Sequence, residues 1–228
     1  MIQRPLCLKK LHILLSNYAR TINDLPKGFQ RASVLVPFFL RDEEWKLILI
    51  RRTEVVTNHK NEISFPGGRY EPDKDNDLVE TALREAYEEI GVKTIDILGL
   101  IDDIFTISKY VVTPVVGFIQ TNEELDKKCF DIAETDYVIE APLNHLSQPK
   151  FFSYQEVSSK EGIKFHVPFF SYQREIIWGA TGRILVNLFN LLKKLDIKCR
   201  INLMKQDSWI LQETDNKSLY STYPLELK

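Results

Sequence analysis

The sequence predicts an α+β sandwich, in which strands outnumber helices and do not alternate strictly with them. Several runs carry the apolar pattern of strands, among them "ASVLVPFFL" and "WKLILIRR". Helical spacing of apolar residues occurs in only a few segments. With 228 residues, 44% of them hydrophobic, the chain is long enough to bury a sizeable core within one ordinary domain.

The first half of the chain is predicted to contain two helices around a set of strands. Leu6 to Ile22 has loosely helical spacing and is followed by the stop "NDLPKG". Ala32 to Leu40 is predicted as a buried strand, and the polar turn "RDEE" joins it to a hairpin partner, "WKLILIRR". A polar loop, a short strand, "EISF", and a Gly-rich turn, "PGG", lead to a helix from Leu78 to Ile90.

The second half is predicted to add strands and a final helix. The runs "TIDILGLIDDIF" and "YVVTPVVGFIQ" are interpreted as strands, as are "FFSYQEV" and "KFHVPFF", which the polar "SSKEG" joins. The segment "REIIWGATGRILVNLFNLLKKL" is a short strand followed by an amphipathic helix. We interpret Trp178 as packing where this strand becomes the helix, with Gly179 allowing a close approach. The predicted division is a helical extension at 1–30, a main domain at 31–195 and an unassigned extension at 196–228.

Charge and cysteine content limit the classes of function. The formal charge is -2, from 30 basic and 32 acidic residues, so no field of one sign favours binding to nucleic acid or to an anionic membrane. The three cysteines, Cys7, Cys129 and Cys199, lie far apart without metal-binding spacing, which is typical of a reducing compartment. No secretory signal or membrane span is recognisable. We expect a cytoplasmic protein.

Three carboxylates share one face of the helix predicted at Leu78 to Ile90. At about 100° per residue, Glu88 falls about -60° and Glu89 about +40° from Glu85. The opposite side is predicted to be the core face, and its residues are Val79, Leu83, Ala86, Tyr87 and Ile90. Like charges three and four residues apart destabilise a helix, so something should compensate them.

Two kinds of compensation are compatible with this pattern. Water and Arg84 would be sufficient if the acidic face is an ordinary solvated surface. Alternatively, a hard divalent cation such as Mg²⁺ binds carboxylate oxygens, keeps several waters and leaves positions for a substrate phosphate.

The residues around this helix resemble the Nudix box, whose pattern ends in REUxEExGU, with U an apolar residue. "REAYEEIGV", Arg84 to Val92, matches every specified position, and Gly67, Gly68 and Glu71 match the start of the box. The resemblance implies Mg²⁺ or Mn²⁺ as cofactor. Glu85 and Glu89 are then the primary metal ligands, because residues four apart on a helix can point at one ion, and Glu88 is a third ligand.

One departure concerns the middle of the box. Between Gly68 and Arg84 lie 15 residues, where the general pattern has about 13. In the family, a mid-box Glu mainly supports the box arginine. Here Asp73, Asp75 and Glu80 compete for that position, so the sequence leaves this supporting contact open.

A longer stretch resembles the coenzyme A pyrophosphatase branch of Nudix enzymes. In "HKNEISFPGGRYEP", residues His59, Glu62, Ser64, Phe65 and Pro66 fit that signature, although Asn61 stands where Gly is usual. The resemblance extends over about Ala32 to Leu192. It implies a Nudix fold, a mixed β-sheet sandwiched between α-helices, and hydrolysis of coenzyme A or its thioesters to 3',5'-ADP and a 4'-phosphopantetheine species.

Such a substrate requires a basic patch for its phosphates near the metal helix. The glycines of the "PGG" turn allow a close backbone approach. The candidates are Arg51, Arg52, His59, Arg69, Gly67 and Gly68, with Lys60 nearby. Arginines grip phosphate oxygens in pairs, and strand alternation predicts that only one of Arg51 and Arg52 faces the site. The alternative for each of these arginines is a solvated surface charge. The aromatic candidates are either base-stacking or core residues, namely Phe105, Tyr110, Phe169 and Trp178.

The catalytic roles are assigned to Glu88, Glu89 and Arg84. The base that accepts a proton from water is either Glu88 or a loop carboxylate, for which Glu134, Glu140 and Glu156 are candidates. Arg84 is expected to orient a carboxylate rather than to touch substrate. Other nucleoside diphosphate derivatives remain alternative substrates, a silent nucleotide-binding module is an alternative class, and a homodimer is an open alternative to a monomer.

Overall fold

The structure, a computed structural model, describes residues 6–53, 62–121, 125, 135–158, 162, 164–195 and 199. Its helices in chain order are α1 (Leu6–Ser16), α2 (Leu78–Ile90), α3 (Leu143–Leu146) and α4 (Gly179–Leu192), with a 3₁₀ turn at Pro149–Phe151. Its strands are β1 (Gln30–Arg41), β2 (Glu44–Arg52), β3 (Ile63–Ser64), β4 (Gly67–Arg69), β5 (Ile95–Leu100), β6 (Ile104–Phe105), β7 (Tyr110–Ile119), β8 (Thr135–Pro142), β9 (Phe152–Ser158), β10 (Lys164–Tyr172) and β11 (Glu175–Ile177).

A mixed sheet forms the centre of the described part of the chain. Its main path runs β3-β2-β1-β7-β5, while β4 pairs with β1, β6 with β7 and β8 with β2. β1 and β7 are parallel, from Gln30 opposite Tyr110 to Phe38 opposite Phe118. The other pairings are antiparallel. The strands that follow β8 in the chain form a second sheet in the order β11-β10-β9.

Helices cover both faces of the mixed sheet because its central strands are apolar on both sides. On β1, Leu35 and Phe39 pack with the buried residues of α2, such as Ala86. Their neighbours Val36 and Phe38 point to the opposite face, into the core that contains the buried side chains of α1 and α4. The predicted α+β fold, a mixed sheet sandwiched between helices, is therefore confirmed.

The predicted hairpin between the first two strands is also present. β1 and β2 are antiparallel, and Arg41 lies opposite Glu44. The two residues between them, Asp42 and Glu43, have φ of 53° and 58°. Two positive φ angles match the right-handed twist of adjacent strands, so "RDEE" forms a tight two-residue turn.

Four local predictions differ from the structure. The first helix ends at Ser16, before the predicted Ile22. The "PGG" turn contains strand β4, and β8 was not predicted because its buried residues are few and interrupted by charges. The run "TIDILGLIDDIF" is two strands, broken at Asp102 and Asp103. The segment after 195 lies outside the described residues, apart from 199.

Trp178 packs where β11 passes into α4, as predicted, and its ring stacks on Phe169 with 5.7 Å between centroids. The close approach predicted at Gly179 is wrong. A Cβ on Gly179 would meet no atom within 4 Å, and this residue is required for its φ of 63°. Gly182 allows the close approach, since a Cβ there would lie 2.7 Å from the carbonyl oxygen of Pro168.

The segment before β1 is attached to the sheet through two aspartates. Asp103, whose side chain is fully buried, accepts hydrogen bonds from Arg20, Arg31 and Thr113 at 2.7 to 3.0 Å. Asp102 accepts from the Tyr18 hydroxyl at 2.7 Å. α1 packs in the same core as the sheet, and a Cβ on Gly99 would lie 2.6 Å from that of Leu15. The predicted division at residues 30 and 195 stays a prediction.

We expect Asp103→Asn to lower the free energy of unfolding by about 3 kcal/mol, because it removes a buried charge that satisfies two arginines. Urea denaturation at pH 7 measures the change. Asp102→Asn is the matched control, since Asp102 is more exposed, and should cost about 1 kcal/mol. Equal losses in the two variants would contradict the anchoring role of Asp103.

Among the described residues, no helix is long and apolar enough to cross a membrane.

Candidate active site

Helix α2 is delimited at both ends by its own sequence. The Asp77 side chain accepts hydrogen bonds from the backbone N–H groups of Val79 and Glu80, so it caps the N-terminus. Gly91 ends the helix with φ of 72°, in the left-handed conformation that glycine adopts readily. These two residues set where the helix begins and ends.

The core face of α2 is narrower than predicted. Ala82, Ala86 and Ile90 are buried against the sheet. Tyr87, predicted as a core residue, is instead 48% exposed, and the Lys93 ammonium lies 4.4 Å from its ring centroid. Tyr87 therefore lies outside the core.

The three carboxylates on the other face differ in exposure. The side chain of Glu89 is 1% exposed, that of Glu85 is 12% exposed and that of Glu88 is 51% exposed. Glu89 accepts from the Gly67 N–H at 2.8 Å and from an Arg52 N–H at 3.3 Å. The acidic face is therefore not a uniformly solvated surface.

Strand β4 brings the two glycines of the box against α2. Gly67 and Gly68 lie opposite Val34 and Ser33 of β1. A Cβ on Gly68 would overlap the Glu85 carboxylate, and one on Gly67 would overlap the backbone of Ser33. The close approach predicted for both glycines is confirmed, and only glycine leaves this space.

Arg84 orients carboxylates, as predicted. It donates to Asp75 through Nε at 2.8 Å and through Nη2 at 3.0 Å, which is a paired contact. Its Nη1 donates to Glu85 at 2.7 Å and to Glu88 at 3.3 Å. The guanidinium thus neutralises part of the acidic face and holds Glu85 toward Gly68.

The residue that supports Arg84 is Asp75. Of the other two candidates, Glu80 accepts from the backbone N–H of Asn76 at 2.8 Å, and Asp73 is exposed. Asp75 is buried and also accepts from the Glu71 N–H and the Thr81 hydroxyl. The hydrogen bond from Arg84, above all, lowers the pKa of the Asp75 carboxyl to about 2.

Arg51 and Arg52 point to different partners, as alternation along β2 predicts. Arg52 reaches Glu89, whereas Arg51 donates to Glu175 at 2.8 Å and contacts Tyr137. The hydrogen bond with Tyr137 and the charge of Glu175 raise the pKa of Arg51. Arg51 thus ties β11 to the mixed sheet, a contact between distant segments that no local sequence signal indicates.

The remaining predicted residues include an exposed arginine, two carboxylates with other partners and three residues without a described structure. Arg69 is exposed on β4, and its carbonyl oxygen accepts from Arg84 at 3.3 Å. Of the candidate bases, Glu140 pairs with Arg41 and Lys46, and Glu156 pairs with Lys164. His59, Lys60 and Glu134 lie outside the described residues.

Loss of the Asp75 carboxylate should destabilise the protein in a pH-dependent way. A carboxyl with a lowered pKa stabilises the fold above its ordinary pKa, and this stabilisation is lost as pH falls from about 4 to about 2. We expect Asp75→Asn to lower the free energy of unfolding by about 2 kcal/mol at pH 7. The difference from the parent protein should shrink toward pH 2. Asp73→Asn is the exposed control, and a pH-independent loss in Asp75→Asn would contradict the assignment.

Most of this chain is similar to known proteins. The family model described as NUDIX domain matches residues 29–173. A protein of Photorhabdus laumondii, named "Uncharacterized Nudix hydrolase NudL", is 32% identical over 161 residues, which cover 70% of this chain and 83% of that protein. The protein of the same name from Yersinia pestis (strain Pestoides F) is 35% identical over 162 residues, covering 70% and 78%.

Two solved structures are also similar. A MutT/nudix family protein from Enterococcus faecalis has a TM-score of 0.48 and 14% identity, covering 88% of this chain and 74% of that one. The NUDIX domain of Shewanella oneidensis NrtR, solved with ADP ribose, has a TM-score of 0.37 and 21% identity, covering 57% and 82%.

The family match spans the glycine strand β4, helix α2 and its carboxylates, so that the geometry and the sequence comparison concern the same residues. The chain therefore belongs to the Nudix hydrolase family and is a pyrophosphohydrolase.

Proposed function

We propose that this chain hydrolyses the diphosphate bond of coenzyme A or its thioesters, with Mg²⁺ or Mn²⁺, and yields 3',5'-ADP and a 4'-phosphopantetheine species. The observation that carries the proposal is the packing of Glu85 against Gly68 beside the buried Glu89. It places two carboxylates, which are hard oxygen ligands, together beside the backbone of β4. The substrate class rests on the resemblance of residues 59–92 to the coenzyme A pyrophosphatase signature.

Nudix hydrolases use divalent metal cations, and the chemistry of this face fits one. Among the described residues, no group of three acidic, histidine or cysteine side chains is arranged to hold a metal ion by itself. Mg²⁺ does not require such a site, because it binds through one or two carboxylates and keeps waters and substrate phosphates as its other ligands. Glu85 and Glu89 would hold the cation, and Glu88 would bind directly or through water.

A bound divalent cation lowers the pKa of a coordinated water and neutralises charge on phosphate oxygens. The protein supplies the rest. Arg84 holds Glu85 in place, and the Gly67 N–H fixes one oxygen of Glu89. Gly68 leaves the space that the Glu85 carboxylate occupies, so this carboxylate lies directly against the backbone of β4.

Glu88 is the general base in this proposal. Its side chain is 51% exposed, so it can exchange a proton with bulk water after accepting one from the attacking water. Glu88 is preferred to Glu140 and Glu156 because it lies on the same helix as Glu85 and Glu89.

Arg52 and Arg69 are the arginines proposed to contact the diphosphate. Arg52 lies beside Glu89, at the end of the strand that leads to the site. Arg69 follows Gly68 directly on β4 and is exposed. Arg51 is a weaker candidate because Glu175 holds its guanidinium. The proposal further includes His59 as a phosphate-orienting residue and a cytoplasmic location.

The substrate is tested by incubating the pure protein and Mg²⁺ with coenzyme A, acetyl-coenzyme A, ADP-ribose, NADH and a diadenosine polyphosphate. We expect kcat/KM to be highest for the two coenzyme A compounds. A preference for another compound would overturn the substrate assignment. Nucleotide binding without turnover of any compound would indicate a silent module.

The metal site is tested by Glu89→Gln, which we expect to lower turnover at least about 100-fold with little loss of folding, because one charged ligand is replaced by a neutral one. Glu80→Gln is the matched control on the same helix and should keep turnover within about twofold of the parent protein. Near-normal turnover of Glu89→Gln would remove the metal-site assignment.

The glycine strand is tested by Gly68→Ala, which we expect to lower turnover at least about tenfold, because its methyl group would displace the Glu85 carboxylate. Gly179→Ala is the control, since it strains the backbone at a positive φ without meeting a neighbouring atom. It should lower the melting temperature and leave turnover unchanged. Full activity and metal affinity in Gly68→Ala would contradict the close-approach role.

A further inference from the structure

A cleft of about 560 Å³ opens beside the glycine strand. Its lining includes Arg69, Tyr70 and Glu71 from the segment that follows Gly68, and Leu25 and Phe29 from the segment before β1. The volume is in the range of small-molecule sites. Arg69 is the residue next to Gly68, so the cleft begins one residue from the backbone that packs against Glu85.

We propose that this cleft binds the nucleoside base of the substrate, while Arg69 at its edge contacts the diphosphate. The inference rests on the proposed function for the position of the diphosphate. It adds a subsite for the part of the substrate that does not react.

Aromatic groups line the cleft from both segments. Phe29 is half-buried, and its ring meets Phe105 edge to face with 5.8 Å between centroids. Tyr70 is half-buried, and its backbone N–H donates to the Arg31 carbonyl at 3.0 Å, which fixes it beside β1. Aromatic rings such as these provide flat surfaces for stacking a base, and such stacking tolerates different bases.

The charges favour a base over a further phosphate within the cleft. Arg31 is already paired with the buried Asp103. Glu71 and Asp73 add carboxylates, and the hydrogen bond with Lys74 lowers the pKa of Glu71, which is therefore ionised at neutral pH. Carboxylates repel phosphate and accept hydrogen bonds from the amino group of a base such as adenine.

Arg69 differs from the other arginines of this region. Within the part of the chain that the structure describes, its guanidinium has no hydrogen bond or ion pair, whereas Arg31, Arg52 and Arg84 are all engaged with carboxylates. An exposed guanidinium on the residue where β4 meets the cleft is suited to a phosphate oxygen.

The wall formed by the N-terminal segment is itself held in place. Asn23 donates through its backbone N–H to Asp103 at 3.0 Å, and Arg31 donates to the Asn23 carbonyl at 2.6 Å. Leu25 lies between these two anchored residues and precedes the residues that the family model matches. The shape of the cleft thus depends on a segment outside the matched Nudix domain.

The test is direct binding of the two half-products, measured by titration calorimetry in the presence of Mg²⁺. We expect Tyr70→Ala to weaken binding of 3',5'-ADP roughly tenfold, as loss of one stacking ring does, and to leave 4'-phosphopantetheine binding unchanged. Tyr70→Phe should bind both ligands as the parent protein does. Tyr87→Ala, an exposed tyrosine outside the cleft, is the matched control and should change neither affinity.

Tyr70→Leu keeps apolar bulk and removes the ring, and it replaces Tyr70→Ala if that variant does not fold. Unchanged 3',5'-ADP binding in the ring-deleted variant would overturn the cleft assignment, as would a loss confined to 4'-phosphopantetheine. The outcome is separable from the proposed function. If the parent protein hydrolyses coenzyme A but 3',5'-ADP binding is independent of Tyr70, only the cleft assignment fails. If binding depends on Tyr70 without coenzyme A turnover, only the proposed function fails.

Discussion

The close approach of strand β4 to helix α2 is the constraint on which the rest of the site depends. The Glu85 carboxylate fills the space beside the Gly68 backbone, and the Gly67 N–H donates a hydrogen bond to Glu89. β4 in turn is held by its ladder with β1, a central strand of the mixed sheet. The position of the carboxylates is therefore set by the sheet and not by the helix alone.

Charge balance explains why such a helix is stable. Three carboxylates at neighbouring positions repel one another, and burial of Glu89 makes its charge more costly. Arg84, held from behind by Asp75, offsets Glu85 and Glu88, while Arg52 and a backbone N–H offset Glu89. The two arginines do not balance the four carboxylates, so this face keeps a negative charge that the proposed divalent cation would offset.

The segment before the matched domain has a structural role that extends to the site. Its side chains and backbone converge on Asp102 and Asp103, at the break between β5 and β6. Because Asp103 is fully buried, its bonds to the segment are partly shielded from water and help to hold the segment in place. The same segment supplies Leu25 and Phe29 to the cleft beside β4. An anchoring contact in the core and the shape of a surface cleft are thus linked through a few residues.

The sequence predicted the α+β class, the limits of helix α2 and the family, because apolar periodicity, helix caps and a dense motif are local properties. It also predicted that Arg84 orients carboxylates. It left Asp73, Asp75 and Glu80 as alternatives for the support of Arg84, since an insertion removes the spacing that would identify one of them. Only the tertiary structure selected Asp75, through a paired contact at 2.8 and 3.0 Å.

Other features also depended on the tertiary structure. Tyr87 has helical spacing for the core, yet its side chain is exposed. The pairing of Arg51 with Glu175 joins residues that are 124 positions apart. The N-terminal segment reaches Asp103 over about 80 positions, for example from Asn23. A sequence records which groups are present and their local spacing, whereas the partner of each buried charge is decided by packing between distant segments.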